Sequence, residues 1–195
     1  MRRGIVAGML LVLVLVTACG KMDDAVSEAQ TKIRTYLHSQ KIYDPSNYPD
    51  PLPTDEKGQY DVVGGVFRYI TTQDSDGRES WPTVEAGDEV SLRFDARVFG
   101  GSSFSQFALF YSNNPTTIEI YRGSNDQFDP TDWPTTPYKA QLGAGKLMPA
   151  VDNALVGCRV GDKVQLFVTP ELAYGSKQNY TVPAYSTLAF EITIE

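Results

Sequence analysis

The sequence contains very little cysteine and histidine, with two cysteines and one histidine among 195 residues. So few ligands cannot form a His/Cys metal cluster, and the single His38 leaves little basis for a Ser–His catalytic pair. Cys19 is expected to be acylated, as argued below, so Cys158 has no intrachain partner and no disulfide is predicted. We expect Cys158 to be a small buried apolar residue rather than a reactive thiol. Neither a metal nor a cofactor is expected.

Positive charge is also scarce. The chain has 17 Lys and Arg residues against 24 Asp and Glu, which gives a formal net charge of −7. Removal of a leader that contains Arg2 and Arg3 would leave a still more acidic chain. Proteins that bind nucleic acid through its phosphates need a basic surface, so no nucleic-acid partner is expected. The same balance argues against electrostatic binding to anionic lipid.

The first eighteen residues have the features of a targeting segment rather than of a folded domain. Arg2 and Arg3 precede an apolar run from Gly4 to Val16, which is too short to span a bilayer comfortably. Small residues then lead to Cys19. This arrangement resembles a bacterial lipobox, and the resemblance implies a signal peptide over residues 1–18 and acylation of Cys19. The alternative is an ordinary signal peptide followed by an incidental cysteine.

The residues after Cys19 bear on localisation. Gly20 stands where an aspartate would, by resemblance to Gram-negative sorting rules, retain a lipoprotein in the inner membrane. Lys21, Asp23 and Asp24 resemble the surface-export signal of Bacteroidota lipoproteins, although they equally suit a solvated charge cluster at the start of a helix. We expect an envelope lipoprotein of the outer membrane, on its periplasmic face or at the cell surface, held to the membrane by its lipid anchor.

Hydrophobic periodicity and composition divide the rest of the chain. Helical spacing of apolar residues from Asp24 to Gln40 predicts an amphipathic helix. Its stripe consists of Val26, Ala29, Ile33, Tyr36 and Leu37. The segment from Tyr43 to Lys57 is rich in Pro, Asp, Tyr and Ser, a composition typical of linkers. Residues 19–57 are therefore predicted to be a lipid-anchored helix and linker, and residues 58–195 a folded domain.

The folded domain begins with patterns typical of strands. Tyr60 to Thr72 predicts two strands around a pair of glycines, and Val90 to Asp95 alternates apolar and polar residues as a half-buried strand does. A further apolar stretch covers Phe107 to Ser112. The polar residues at about 113–136 then predict an insertion with aromatic residues that contact the domain. Those aromatic residues are Tyr121, Phe128 and Trp133.

The last third of the chain carries short motifs in a fixed order. They are Pro137–Gly143, Leu147–Val151, Val160–Lys163, Pro170–Gly175, Val182–Ala184 and Thr187–Phe190. Their order and spacing resemble the FKBP-type peptidyl-prolyl isomerases. The resemblance implies an α+β fold, in which a twisted antiparallel sheet wraps around a short helix over Pro149–Val156. The N-terminal helix would precede this domain as a tether.

The resemblance also implies an activity. Prolyl isomerisation needs no nucleophile, but it must lower a rotation barrier of about 18–20 kcal/mol at the amide. An apolar pocket that excludes water and fits the twisted amide meets that need. By resemblance, the backbone N–H of Met148 and the hydroxyl of Tyr174 bind carbonyls of a proline-containing polypeptide. The implied pocket walls are Phe94, Phe104, Phe110, Tyr138, Leu147, Val151, Val182 and Phe190.

Three departures from the family pattern lower the activity that we expect. Val151 replaces the tryptophan at the pocket floor, and Phe94 replaces a tyrosine. The family's Phe-Asp pair has no aspartate here, and two registers compete for it. One places Phe104 in the pocket because it keeps the family's interval from Phe94. The other places Phe110 there, because the run Phe110–Ser112 is more similar to the family motif.

The leading hypothesis is therefore a lipid-anchored isomerase or folding helper with weak activity. Two other functions stay open on the sequence alone. A non-catalytic module would bind peptide or protein through the same cleft or through the insertion. A structural lipoprotein subunit of an outer-membrane assembly is the third hypothesis. The sequence does not indicate the oligomeric state.

Overall fold

The computed structural model describes residues 4–46, 55–122 and 133–195, with side chains from Gly20 onward. Three expectations fall outside these parts. They are the acylation of the Cys19 side chain, the middle of the predicted linker at residues 47–54, and the contacts of Phe128 in the insertion.

The described elements alternate between strands and short helices after one long N-terminal helix. The helices are α1 (Gly4–Ser39), α2 (Pro115–Tyr121) and α3 (Pro149–Leu155). The strands are β1 (Ile42–Tyr43), β2 (Gly58–Val63), β3 (Val66–Ile70), β4 (Glu89–Val98), β5 (Ala108–Ser112), β6 (Tyr138–Gln141), β7 (Lys163–Val168) and β8 (Leu188–Ile194). Single 3-10 turns occur at Arg78–Ser80, Phe104–Gln106 and Pro170–Leu172.

The strands form one sheet in the order β1-β2-β3-β7-β8-β4-β5, and β6 also pairs with β4. β4 pairs with three other strands. Along one edge its residues 89–92 pair with β6 and its residues 95–98 pair with β5, and along the other edge it pairs with β8. All pairs are antiparallel except the two-residue pair of β1 with β2. The predicted α+β fold is confirmed, with this parallel pair as a departure from a purely antiparallel sheet.

The hairpin of β2 and β3 was predicted from its glycines. Val63 pairs with Val66, and between them Gly64 and Gly65 have φ angles of 57° and 87°. A tight two-residue hairpin needs two consecutive residues in the left-handed region, which glycine adopts without a steric penalty. The strand–glycine–strand prediction is confirmed.

Alternation along the strands sends neighbouring residues into two separate cores. We call one the α3 core, which includes Val151, Ala154, Leu155, Leu166 and Phe190. We call the other the α1 core, which includes Ile33, Tyr36, Leu37, Phe107, Phe167 and Ala189. Leu166 and Phe167 are adjacent in β7, and each is fully buried in a different core. The sheet is therefore covered on both faces, by α3 on one and by α1 on the other.

Helix α1 matches the predicted apolar stripe but not the predicted start. Ala29, Ile33, Tyr36 and Leu37 are all buried. The helix begins at Gly4 instead of Asp24, and no proline interrupts the chain before Ser39. No helix within the described residues is both long and apolar enough to cross a membrane.

The insertion begins with a helix that the sequence analysis did not predict. The side chain of Asn114 accepts a hydrogen bond from the Thr116 N–H, and Pro115 occupies the first helical position of α2. Thr117 and Ile118 are buried. Seven residues are too few for apolar periodicity to be recognised, so only the cap and the proline could have indicated this helix.

The C-terminal end of α3 is held by an arginine from β3. Arg68 Nη1 donates to the carbonyl oxygens of Ala154 and Val156, at 2.9 Å each. These carbonyls lie at the end of the helix, where no further helical N–H can reach them. A cation at this end also opposes the negative pole of the helix dipole. Arg68 pairs with Asp61 on the neighbouring strand, which fixes its orientation.

Asp162, directly before β7, forms hydrogen bonds to three segments of the chain, which contain Thr72, Arg78 and Arg159. Its side chain is fully buried and accepts hydrogen bonds from both Arg78 Nε and Nη2, from the Thr72 hydroxyl and from the Arg159 N–H, at 2.6–2.9 Å. Burial alone would raise the pKa of Asp162, but these hydrogen bonds and the Arg78 charge outweigh it and hold the pKa below its usual value. The charged carboxylate therefore stabilises the folded chain.

Replacing Asp162 with asparagine should lower the free energy of unfolding at neutral pH by about 3 kcal/mol, because it leaves the Arg78 charge without its partner. The contribution is fully present above the unfolded pKa of about 3.9 and is lost as the pH falls through the lower folded pKa. The loss caused by Asp162→Asn should therefore shrink in acid. Urea denaturation at neutral and acidic pH measures both effects. Asp76→Asn is the control, since Asp76 is exposed; equal losses in the two variants would contradict the assignment.

Cys158 is fully buried in the α3 core, in the small-apolar role predicted from the sequence. Burial raises the pKa of its thiol to about 11, and the nearby Arg68 guanidinium only partly opposes this. A thiol with such a pKa carries almost no thiolate at neutral pH, and the thiolate is the reactive species.

Cys158 should therefore resist Ellman's reagent in the native protein and react promptly in guanidinium chloride. The measurement uses a Cys19→Ser variant, so that Cys158 is the single thiol. Free glutathione at the same pH is the reactivity control. Native labelling at the rate of glutathione would show that the thiol is accessible and would refute the buried role.

Candidate functional site

An apolar cleft opens between the sheet and the N-terminal end of α3. Its volume is about 390 Å³. β4, β5, β6 and β8 supply one wall, α3 supplies the floor, and the loop after Tyr174 supplies the rim. The lining residues are Leu92, Phe94, Ala96, Phe110, Tyr111, Tyr138, Lys146, Leu147, Met148, Val151, Tyr174, Asn179, Tyr180, Thr181, Val182, Phe190 and Ile192.

The cleft brings together most of the site residues predicted from the sequence. Those that line it are Phe94, Phe110, Tyr138, Leu147, Met148, Val151, Tyr174, Val182 and Phe190. They come from four strands, one helix and two loops that are far apart in the chain. Their convergence follows from the pairing of β4 with β8, which places Phe94 opposite Ile192 and Ala96 opposite Phe190.

Phe104 does not line the cleft, which corrects its place among the predicted pocket residues. It lies in a 3-10 turn and packs against the α1 core, with its ring centroid 5.3 Å from that of Phe107. Phe110 instead occupies a position in β5 that faces the cleft. The 3-10 turn at Phe104–Gln106 directs the Phe104 side chain away from the cleft. Of the two competing registers, the one based on Phe110–Ser112 is the one whose phenylalanine lines the cleft.

A row of aromatic rings forms one wall. The ring of Phe94 lies 5.4 Å from that of Tyr111 and 6.4 Å from that of Tyr138. Tyr111 in turn stacks at 5.4 Å on Trp133, from the end of the insertion. The prediction that an insertion aromatic packs at the cleft is confirmed for Trp133. Tyr121 lies elsewhere, where its hydroxyl accepts a hydrogen bond from Arg97 Nη1 at 3.0 Å.

Asn113 fastens both ends of the insertion to the cleft wall. Its side-chain oxygen accepts from the Phe94 N–H at 2.7 Å, and its Nδ2 donates to the Leu92 carbonyl at 2.8 Å. A further bond reaches the carbonyl of Thr136 at 3.2 Å. The side-chain amide of Asn113 thus forms the hydrogen bonds to β4 that a neighbouring strand would form, in the gap between the segments of β4 that pair with β6 and with β5. It is fully buried, so these bonds are formed away from water.

The carboxylate missing from the family's Phe-Asp pair is not replaced within the cleft. Tyr111 stands in the middle of the corresponding run, and its pKa is raised by burial and by the neighbouring Tyr138. The nearest buried acid along β4 is Asp95, which accepts hydrogen bonds from Ser112 and Thr117 at 2.6 and 2.7 Å. Since Asp95 alternates with Phe94, it points to the opposite face of the sheet.

The floor of the cleft is Val151, which is buried on the first turn of α3. It leaves the space that a tryptophan would fill in the family pattern and offers no indole N–H to a ligand. Lys146 is the one formally charged residue among the described lining residues. No carboxylate or imidazole occurs among these described lining residues. What they offer a ligand is shape, desolvation and hydrogen bonding.

Several donors of the lining residues have no protein acceptor among the described residues, and the backbone N–H of Met148 and the hydroxyl of Tyr174 are two of them. Met148 precedes Pro149 at the start of α3, where backbone N–H groups are left unpaired by the helix. By contrast, the Tyr138 hydroxyl is engaged with the carbonyl of Lys146 at 3.2 Å. The Met148 N–H and the Tyr174 hydroxyl are the two groups that the family resemblance assigned to substrate carbonyls.

Several lining residues were missed by sequence reasoning. Ala96 and Ile192 could have been found, because each stands two positions along its strand from a predicted residue and so shares its face. Tyr111 directly follows the predicted Phe110, but the sequence analysis treated its position only as the one where the family's aspartate is missing. Asn179–Thr181 carried no recognisable signal, because their place at the rim depends on how the loop folds.

Comparison with known proteins agrees with this geometry. The family model for FKBP-type peptidyl-prolyl cis-trans isomerase matches residues 81–195. FK506-binding protein 1 of Aspergillus oryzae is 28% identical over 131 residues, which cover 67% of this chain and 96% of that protein. FK506-binding protein 4 of Chaetomium thermophilum is 30% identical over 112 residues, which cover 57% of this chain and 18% of that protein.

A human peptidyl-prolyl cis-trans isomerase is 40% identical over 58 residues, which cover 30% of this chain and 10% of that protein. This chain thus spans nearly all of one relative and a small part of the other two. The family match includes α2, α3 and β4 to β8, and hence every residue that lines the cleft. The chain belongs to the FKBP-type peptidyl-prolyl cis-trans isomerase family.

Proposed function

We propose that the cleft binds proline-containing polypeptides and catalyses cis–trans isomerisation of the bond before proline. The observation that carries the proposal is a largely apolar cavity in which two donors, the Met148 N–H and the Tyr174 hydroxyl, have no acceptor among the described residues. Few other ligands combine a compact apolar ring with carbonyl groups on both sides. The described lining contains no carboxylate or imidazole, which suits a reaction that needs neither.

The rate enhancement would come from preferential binding of the twisted amide. In the planar ground state, resonance makes the amide polar and the rotation barrier is about 18–20 kcal/mol. Twisting removes that resonance and makes the group less polar, so an apolar environment favours the transition state over the ground state. Phe94, Tyr138 and Phe190 would pack on the proline ring. Met148 N–H and the Tyr174 hydroxyl would fix the chain on either side.

The departures at Val151 and Tyr111 set the expected level of activity. A valine floor leaves part of the cavity unfilled, so the proline ring is held by fewer contacts than a tryptophan would provide. Without a carboxylate beside Phe94, the described wall lacks the charged acceptor that the family pattern has there. We therefore expect turnover above background but modest for the family.

Tyr174→Phe should lower kcat/KM about five- to tenfold, since it removes one hydrogen bond of about 1–1.5 kcal/mol. A protease-coupled assay with a prolyl tetrapeptide measures this. Tyr69→Phe is the control, because Tyr69 donates to the carbonyl of Lys57, away from the cleft. Thermal unfolding of both variants separates lost activity from lost stability.

Two results would count against catalysis. If the wild-type protein fails to accelerate isomerisation, but prolyl peptides shift the NMR signals of Met148, Val151 and Phe190, the cleft is a non-catalytic binding module. This second function is favoured by the lost carboxylate and the valine floor. If neither turnover nor signal changes are seen, the cleft does not take prolyl peptides at all.

We also propose that the protein is a folding helper of the bacterial envelope, anchored in the outer membrane by lipid on Cys19. The support is in the sequence: a short basic segment, an apolar run and small residues before a cysteine. Several acyl chains give a stable anchor where one does not, because each buried methylene contributes about 0.8 kcal/mol. The clients would then be polypeptides that fold at or beyond the inner membrane.

Cys19→Ser should abolish incorporation of labelled palmitate and move the protein from the membrane fraction to the soluble fraction of a bacterial host. Cys158→Ala is the matched control, because it removes the other cysteine and leaves the lipidation motif intact. Retention of label in the Cys19→Ser variant would refute the anchor, whatever the isomerase assay gives.

A further inference from the structure

The loop between Tyr174 and Tyr185 forms the rim of the cleft and closes on itself at its base. The N–H of Tyr185 donates to the carbonyl of Gly175 at 2.8 Å. Gly175 and Tyr185 both adopt left-handed backbone, with φ of 63° and 61°. All of the residues from Asn179 to Val182 between them line the cleft. The geometry of this base therefore sets the position of the rim and of the adjacent Tyr174.

The rim depends on its base because its hydrogen bonds are internal. Asn179 and Val182 exchange both backbone hydrogen bonds, and the Lys177 N–H donates to the carbonyl of Tyr174. In the described structure, no hydrogen bond of residues 176–184 leaves the segment from Tyr174 to Tyr185. Apart from the buried side chain of Val182, contact with the rest of the protein is concentrated at the two ends of the loop.

Helix α1 touches both ends of that base. Lys21 Nζ lies 4.7 Å from the centre of the Tyr185 ring, within the range of a cation–π interaction. A Cβ atom placed on Gly175 would be 3.7 Å from Met22 Cε, so the methionine lies against the glycine backbone. Lys21 and Met22 are adjacent in the chain, and each meets one of the two residues joined by the closing hydrogen bond.

The helix can serve as a support because its other half is fixed. Ile33 and Leu37 are fully buried in the α1 core, on the face of the sheet opposite the cleft. The helix runs without a break from Lys21 to this core. An α-helix is stiff over such a length, so the position of Lys21 and Met22 is set by the sheet itself.

We propose that Lys21 and Met22 are positioning residues for the cleft: they hold the base of the rim and thereby place Tyr174 and the Asn179–Val182 segment for substrate. The proposal rests on the proposed isomerase function. Both residues precede the family match at residues 81–195, so this support is an addition of this chain to the family domain. Neither residue touches the cavity, and both act through Gly175 and Tyr185.

The test compares Lys21→Ala, Met22→Ala and the double variant with Lys32→Ala, all in a Cys19→Ser background so that lipidation does not vary. Lys32 is a suitable control because it is exposed on the same helix and pairs only with Glu28. We expect the double variant to lower kcat/KM about fivefold, mainly through a higher KM, as misplaced binding groups do. Met22→Leu as a single variant should keep the wild-type kcat/KM, because leucine retains an apolar contact with Gly175.

Hydrogen exchange gives a readout that a loss of overall stability would not reproduce. In the double variant the hydrogen-bonded amides of the loop should exchange faster, while those of α3 and of β7 keep the wild-type rate; the loop amides are those of Lys177, Asn179, Val182 and Tyr185. Uniformly faster exchange, or equal kinetic effects in Lys32→Ala, would overturn the proposal. If the wild-type protein shows no isomerase activity, the proposed function fails. Hydrogen exchange still tests whether Lys21 and Met22 hold the loop: unchanged loop exchange in the double variant would refute this, and faster loop exchange would uphold it.

Discussion

The pairing of β4 with β8 is the constraint on which the cleft depends. Their register places Phe94 opposite Ile192 and Ala96 opposite Phe190, so these four side chains share one face. A slip of β4 by one residue would turn Phe94 and Ala96 away from the cleft and would bring Asp95 toward it. Neither strand can slip alone, because β4 is also paired with β5 and β6, and β8 with β7. The strand pairing of the sheet therefore fixes which side chains form the cleft wall.

The same alternation separates apolar chemistry from charge. Asp95 and Arg97 are buried on the face opposite the cleft, where Asp95 accepts from two hydroxyl groups and Arg97 donates to Tyr121. Asp162 and Arg78 form a second buried pair near the start of β7. These ions stabilise the frame and do not line the cavity. A twisted, weakly polar amide is favoured by a lining of this kind, in which Lys146 is the one formally charged described residue.

Much of the fold and site could be predicted because two kinds of signal are local. Apolar spacing indicated the buried stripe of α1 and the strand at β4, and ordered motifs indicated the residues of the cleft from Tyr138 onward. The errors arose where an outcome depends on distant contacts. Phe104 fitted a motif spacing, but a 3-10 turn directed it to the α1 core. The helix α2 was too short to show a period, and the contact of Met22 with Gly175 joins residues far apart in the chain.

The arginine that caps α3 has a consequence for where the folding unit begins. Arg68 lies in β3, ahead of the family match, yet it holds the last carbonyls of the helix whose first residues form the cleft. β3 is also the partner of β7, so it closes an edge of the sheet that would otherwise be open. A fragment that begins at residue 81 would keep every lining residue and lose both of these supports. The segment that the family model matches is thus smaller than the segment whose parts support one another in the fold.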